Sequence, residues 1–176
     1  MNRTPMRAGL IAAALACLAL VGCGGAVPGV ADATAGDSLA RDRMAIEETL
    51  RRYIRALDDA DIDAYVATLT DDAQFLSAEG NHSGKEAIRA YVEPVMNSRI
   101  ARREREGAAA IATHHVVTNQ SLEFLDADNV VVRSYWMFVV AQGSGQPLSV
   151  DLMGSSEDYL TRQQGNWLIR ERRIAP

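Results

Sequence analysis

The chain has 176 residues, with 18 basic residues against 23 acidic ones and a formal charge of −5. It lacks the basic excess that contact with a phosphate backbone requires, which argues against nucleic acid as a partner. Its two cysteines, Cys17 and Cys23, both lie near the start, so the remainder has neither a disulfide nor a thiol nucleophile and must be held together by packing.

The opening residues read as a targeting segment. Arg3 and Arg7 form a basic start, and Ala8 to Leu20 form an apolar run too short and too alanine-rich to span a bilayer comfortably. Leu20-Val21-Gly22-Cys23 matches a bacterial lipobox, whose cysteine receives diacylglycerol and becomes the new N-terminus. The alternatives are an ordinary secretory leader cut near Ala14-Leu15-Ala16, or an uncleaved anchor. The expected organisation is a lipoprotein signal peptide over 1–22, a lipidated Cys23 and flexible tether over 23–37, and one folded domain over 38–176. Several acyl chains hold a protein stably at a membrane where one does not. The expected location is therefore the bacterial cell envelope, and Gly24 in place of Asp favours an outer membrane facing the periplasm. Two of the 18 basic residues leave with the leader, so 16 face 23 acids and the mature charge is −7. Residues 24–37 are small and Gly-rich, the composition of a flexible link.

From Leu39 the apolar residues recur at helical spacing through Ile46, Leu50, Tyr53, Ile54 and Leu57, with Arg51, Arg52 and Arg55 on the wet face. Asp61 can cap a second helix reaching Leu69, whose inward residues would be Ile62, Tyr65, Val66 and Leu69. A brief strand is expected over 73–77. Ser83-Gly-Lys-Glu86 has the capping-box pattern, so a third helix should begin there, kinked by Pro94. The charged stretch that follows, NSRIARREREGAAA, reads as a solvated extension rather than as an anionic docking site or a surface for a neighbouring envelope protein.

After Thr113 the period changes to two. Strands are expected over 114–125, 129–142, 147–162 and 166–174, separated by turn compositions at Asp126–Asp128, Gly143–Gly145 and Gln164–Asn166. The second of them, Val130 to Val140, is apolar on both faces and should be covered on both. Helices followed by a long antiparallel meander give an α+β class.

The order of these elements, with IEETLRRYIRALDDADIDAYVATLTDDAQF, GKEAIRAYV, ATHHVVTNQSLEFLDADNVVVRSYW and DYLTRQQGNWLIRERRI, resembles the SnoaL-like branch of the nuclear transport factor 2-like superfamily. The resemblance implies a cone, in which three N-terminal helices pack in a strongly curved, mainly antiparallel sheet whose open end admits a small, mostly apolar molecule. It implies a homodimer or homotrimer joined through the outer sheet face. The family includes dehydratases, isomerases, cyclases and noncatalytic subunits, so fold alone does not assign a reaction.

Three positions match the dehydratases of that superfamily: Tyr53 their tyrosine, Asp58 their aspartate, and His115 their histidine. An imidazole can take a proton beside a carbonyl, a phenol can donate to the developing enolate, and a carboxylate can orient the imidazole. Each also has a structural reading, Tyr53 as core, Asp58 as a cap and His115 as a hydrogen-bonded core or interface residue. The second acid–base group of those enzymes has no counterpart in Trp136-Met137-Phe138-Val139-Val140, and Asp151 or Asp158 is the possible substitute. Trp136 and Phe138, with Tyr53, are the candidate ligand contacts. Trp136 and Trp167 also suit plain packing, and Arg170, Arg172 and Arg173 are expected to pair with surface acids.

His114 and His115 are neighbours on a strand, so their rings should take opposite sides and not share one pocket. With His82 the only other histidine, no protein-bound metal is expected, and no cofactor. The expected function is a cofactor-free dehydratase or isomerase acting on a small hydrophobic or cyclic substrate. The alternative is a noncatalytic ligand-binding or assembly module at the membrane.

Overall fold

The computed structural model describes residues 28–107, 112–141 and 147–176. The leader and Cys23 lie outside them. The elements run α1 (Pro28–Asp59), α2 (Ile62–Val66), β1 (Leu69–Ser77), β2 (Gly80–Ser83), α3 (Lys85–Glu106), β3 (Ala112–Phe124), β4 (Asn129–Ala141), β5 (Leu148–Gln163) and β6 (Asn166–Ala175). This is an α+β fold around one mixed six-stranded sheet of order β2-β1-β6-β5-β4-β3. All strand pairs are antiparallel except β1 with β6.

Helix α1 begins at Pro28 rather than near Leu39, so residues 28–37, read above as tether, are helical. A proline tolerated in the first turn and the alanines Ala31, Ala33 and Ala35 favour that extension. The helix ends where Ala60 takes a left-handed φ of 59°. The Asp61 N–H then donates to the Ala56 carbonyl at 2.9 Å, the closing bond of a Schellman turn. The Asp61 side chain accepts from the Ala64 N–H at 2.9 Å and caps α2. Helix α2 stops at Val66, and Leu69 already belongs to β1.

The capping box is not formed. Ser83 closes strand β2, and α3 starts after Gly84, which has a φ of 87° and no side-chain cap. A hairpin partner strand consumes the serine before it can cap. Helix α3 runs unbroken through Pro94 to Glu106, so the charged stretch continues it as far as the described residues reach.

The core packs Ile46, Leu50, Tyr53 and Ala56 of α1 and Ile88, Val92 and Met96 of α3 against Val130, Val132, Leu160, Trp167 and Ile169 of the sheet. The Thr49 hydroxyl ties α1 to β6 through the Trp167 carbonyl at 2.9 Å. Val131 is buried on the opposite face of β4 from Val130 and Val132, but Tyr135 further along is exposed, so β4 is covered on both faces over only part of its length. Gln164 and Gly165 both have positive φ, 51° and 81°, the two-residue turn that the strand twist favours.

Candidate active site

Strand β3 is one of the two edges of the sheet, so alternate backbone N–H groups there have no strand partner. Asp58, in the last turn of α1, supplies one. Its carboxylate accepts the His115 backbone N–H at 3.1 and 3.2 Å and meets the His115 ring Nδ1 at 2.6 Å. The side chains of Asp58 and His115 are only 12% and 14% exposed. An ionised carboxylate accepts and cannot donate, so Nδ1 carries the proton in this contact, and in the neutral ring Nε2 then keeps its lone pair.

The expectation that the paired histidines cannot share a pocket is corrected. The His114 Nδ1 stands 3.7 Å from the other Asp58 oxygen, although this ring is 69% exposed. Because the carboxylate sits level with the strand backbone at the sheet edge, rings from both faces reach it. Both histidines also line one cavity of about 420 Å³ beneath α1, with Asp58, Ser134, Asp158 and Arg172.

A second cavity, of about 410 Å³, is walled by apolar groups of all three helices and the sheet, among them Ile54, Leu57, Phe75, Val92, Trp136 and Phe138. Its polar members include Tyr53, Tyr65, His115, Arg99 and Arg172. The His115 and Phe138 rings are tilted at 5.0 Å. Trp136 donates its indole N–H to the Ser155 carbonyl at 3.2 Å and lies over Gly154, where a Cβ would come within 2.8 Å of the ring. The residues named as ligand contacts, Tyr53, Trp136 and Phe138, thus share one cavity wall with His115. Asp58 faces the neighbouring cavity, and Ile54, His115 and Arg172 line both.

Tyr53 is buried, and its hydroxyl lies 2.7 Å from that of Tyr65. Burial pushes both phenols above their ordinary pKa, so each remains a proton donor. In such a pair one hydroxyl donates to the other and one proton stays free for a ligand oxygen.

Arg172 corrects another expectation. It is buried rather than paired at the surface, with its guanidinium 2.5 Å from the Asp158 carboxylate and 4.8 Å from the Tyr53 ring centroid. Burial raises the Asp158 pKa, with Arg172 opposing. Burial also works against the charge on Arg172, but the adjoining Asp158 carboxylate more than compensates and holds it protonated. Asp158 is therefore not a free substitute acid, and Asp151 is exposed, with Ser149 bonded to it. Arg173 does stay outside, paired with Glu171 and Glu157. Tyr65, Arg99 and Arg172 were not anticipated as site residues. The inward position of Asp158 in step with Ser156 and Leu160 was the available signal for the ion pair. Among the described residues no three His, Cys, Asp or Glu side chains gather as a metal site would require.

A family model described as SnoaL-like domain matches residues 38–173. Among solved structures, an NTF2-like protein with a cystatin-like fold from Novosphingobium aromaticivorans is 16% identical with a TM-score of 0.68, over 85% of this chain and 90% of that one. A scytalone dehydratase-like protein from the same organism is 19% identical with a TM-score of 0.62, over 79% and 86%. ActVI-ORFA from Streptomyces coelicolor is 18% identical with a TM-score of 0.62, over 76% and 95%. At these identities the structures establish the fold alone. No curated protein matches the chain in sequence.

Proposed function

Because the chain belongs to the SnoaL-like domain family, we propose that its folded domain binds a small hydrophobic or cyclic molecule and dehydrates or isomerises it without a cofactor. The observation that carries this reading is the 2.6 Å contact between Asp58 and His115, whose ring borders an apolar cavity. In this scheme the His115 Nε2 takes a proton from a carbon beside a ligand carbonyl. The free hydroxyl proton of the Tyr53–Tyr65 pair donates to the oxygen on which the enolate charge develops. The imidazolium, steadied by Asp58, then returns its proton. Delivered to a β-hydroxyl it releases water, and delivered to another carbon it completes a double-bond shift. Replacing His115 with alanine should abolish any turnover found, and unchanged rates would remove the catalytic role.

A noncatalytic ligand-binding or assembly module is the second reading. It is favoured by Trp136-Met137-Phe138-Val139-Val140, where the resembling dehydratases carry a second acid–base group and this chain has no titratable side chain. Retention of a small molecule without turnover would select it.

The proposed setting is the bacterial cell envelope, with Cys23 of the lipobox as the lipidated residue. No described helix is long and apolar enough to cross a membrane. A homodimer or homotrimer is proposed as well, since Tyr135, Leu148, Val150, Leu152 and Met153 leave apolar surface exposed on β4 and β5. Native mass spectrometry of the protein from its own membrane tests lipidation, subunit number and retained ligand together.

A further inference from the structure

Arg99 of α3 lines the apolar cavity beside His115 and Phe138. Its guanidinium sits 5.1 Å over the Phe138 ring and donates one N–H to the Leu57 carbonyl at 3.2 Å. A guanidinium has five such donors. Among the described residues no carboxylate stands at ion-pairing distance from it. Asp58, whose field reaches it, is engaged by the ring and backbone of His115. Glu79 at the cavity rim is exposed and takes the Tyr91 hydroxyl at 2.8 Å. Partial burial makes the Arg99 charge harder to keep, opposed by the field of Asp58 and reinforced by that of Arg103.

The other arginine in the wall differs. Arg172 is neutralised by Asp158, yet its Nε–H is buried without a hydrogen-bond partner. The cavity wall therefore holds a cation without a carboxylate partner and unused donors, amid a lining that is mostly apolar. A desolvated charge is costly until an opposite charge meets it. Carbonyl capping alone does not account for Arg99. Arg103 caps the adjacent Asp58 carbonyl at 2.8 Å without lining the cavity.

We infer that the cavity takes a hydrophobic carboxylate, its apolar body against Trp136 and Phe138 and its anionic group on Arg99. This deepens the small-molecule reading above and depends on it. A neutral ligand of the same shape would fill the cavity but leave the Arg99 charge uncompensated.

The test compares 2-naphthoate with its neutral isostere 2-naphthamide by titration calorimetry on the full-length protein. A charge-assisted contact should make the carboxylate bind about tenfold tighter. The preference should vanish in Arg99→Gln, with amide affinity unchanged, and persist in Arg103→Gln. If Arg99→Gln also weakens the amide, Arg99→Lys decides: a retained preference supports the inference and a lost one overturns it. Equal affinities in the unaltered protein, or a preference surviving Arg99→Gln, overturn the inference alone. Failure of both probes to bind overturns it together with the small-molecule reading.

Discussion

Asp58 and His115 meet twice, once through the ring at 2.6 Å and once through the backbone N–H at 3.1 and 3.2 Å. One carboxylate thereby fixes the strand edge and the imidazole together, so the ring cannot rotate without giving up its only hydrogen-bond acceptor among the described residues. The C-terminal carbonyls of α1 are bound in turn, Leu57 by Arg99 and Asp58 by Arg103. Cations at a helix C-terminus are favoured by its partial negative charge, which holds the carboxylate in place from behind.

Asp58→Asn should therefore separate orientation from binding. The amide keeps the shape but is a poorer acceptor for the ring, so turnover should fall by about 10²-fold or more, with ligand affinity nearly unchanged. Steady-state kinetics beside calorimetric binding checks it. Parallel loss of affinity would mean that Asp58 holds the ligand instead.

The buried pair Asp158–Arg172 makes a stability prediction. Removing one partner strands a charge in the interior, so Asp158→Asn or Arg172→Met should each cost about 3–5 kcal/mol. The double variant Asp158→Leu with Arg172→Met should recover much of that. Urea denaturation of the three proteins gives the answer, and additive losses would count against the pair.

Tyr53 and Tyr65 bear on alkaline behaviour. Their folded pKa values are raised by burial, so the native state holds those protons after the unfolded chain begins to lose them near the ordinary phenol value of about 10. The stability this contributes is complete below that value and falls as pH rises above it. Absorbance titration should register both phenols ionising only as the fold melts. Tyr53→Phe, which removes one such group, should flatten the alkaline loss.

Gly154 supports the cavity wall. A Cβ there would lie 2.3 Å from the Ala175 carbonyl oxygen as well as against Trp136, so Gly154→Ala must displace backbone or ring. A loss of about 1–3 kcal/mol is expected, with a shift in tryptophan emission. Thermal unfolding and fluorescence would measure both.

Helical spacing placed Tyr53 on the first helix and alternation placed His115 on a long strand, whereas naming them with Asp58 as site residues rested on the family resemblance. The inward turn of Arg172 was not legible in the sequence, for a definite reason. Trp167 and Ile169 point inward at odd positions, and strict alternation would turn Arg172 outward. The register between β5 and β6 shifts between Tyr159 and Leu160, so the parity changes and Arg172 enters the core opposite Asp158. Bulges of this kind leave little trace in composition. Ser83 misled in a similar way, since a capping box and a short hairpin strand use the same residues. His114 could not be placed from strand geometry alone, because that geometry says nothing about an acceptor arriving from a helix end.

The parallel pairing of β1 with β6 sets Leu69 beside Ile169, partners a hundred positions apart in the chain. The last strand is thus the keystone between the hairpin β1–β2 and the meander β3–β5, and neither side can close until it arrives. A polypeptide without β6 would have two disconnected half-sheets and no Arg172 guanidinium for Asp158. Assembly of the cavity waits on β6, and pairing across so long a stretch of chain makes that closing step slow.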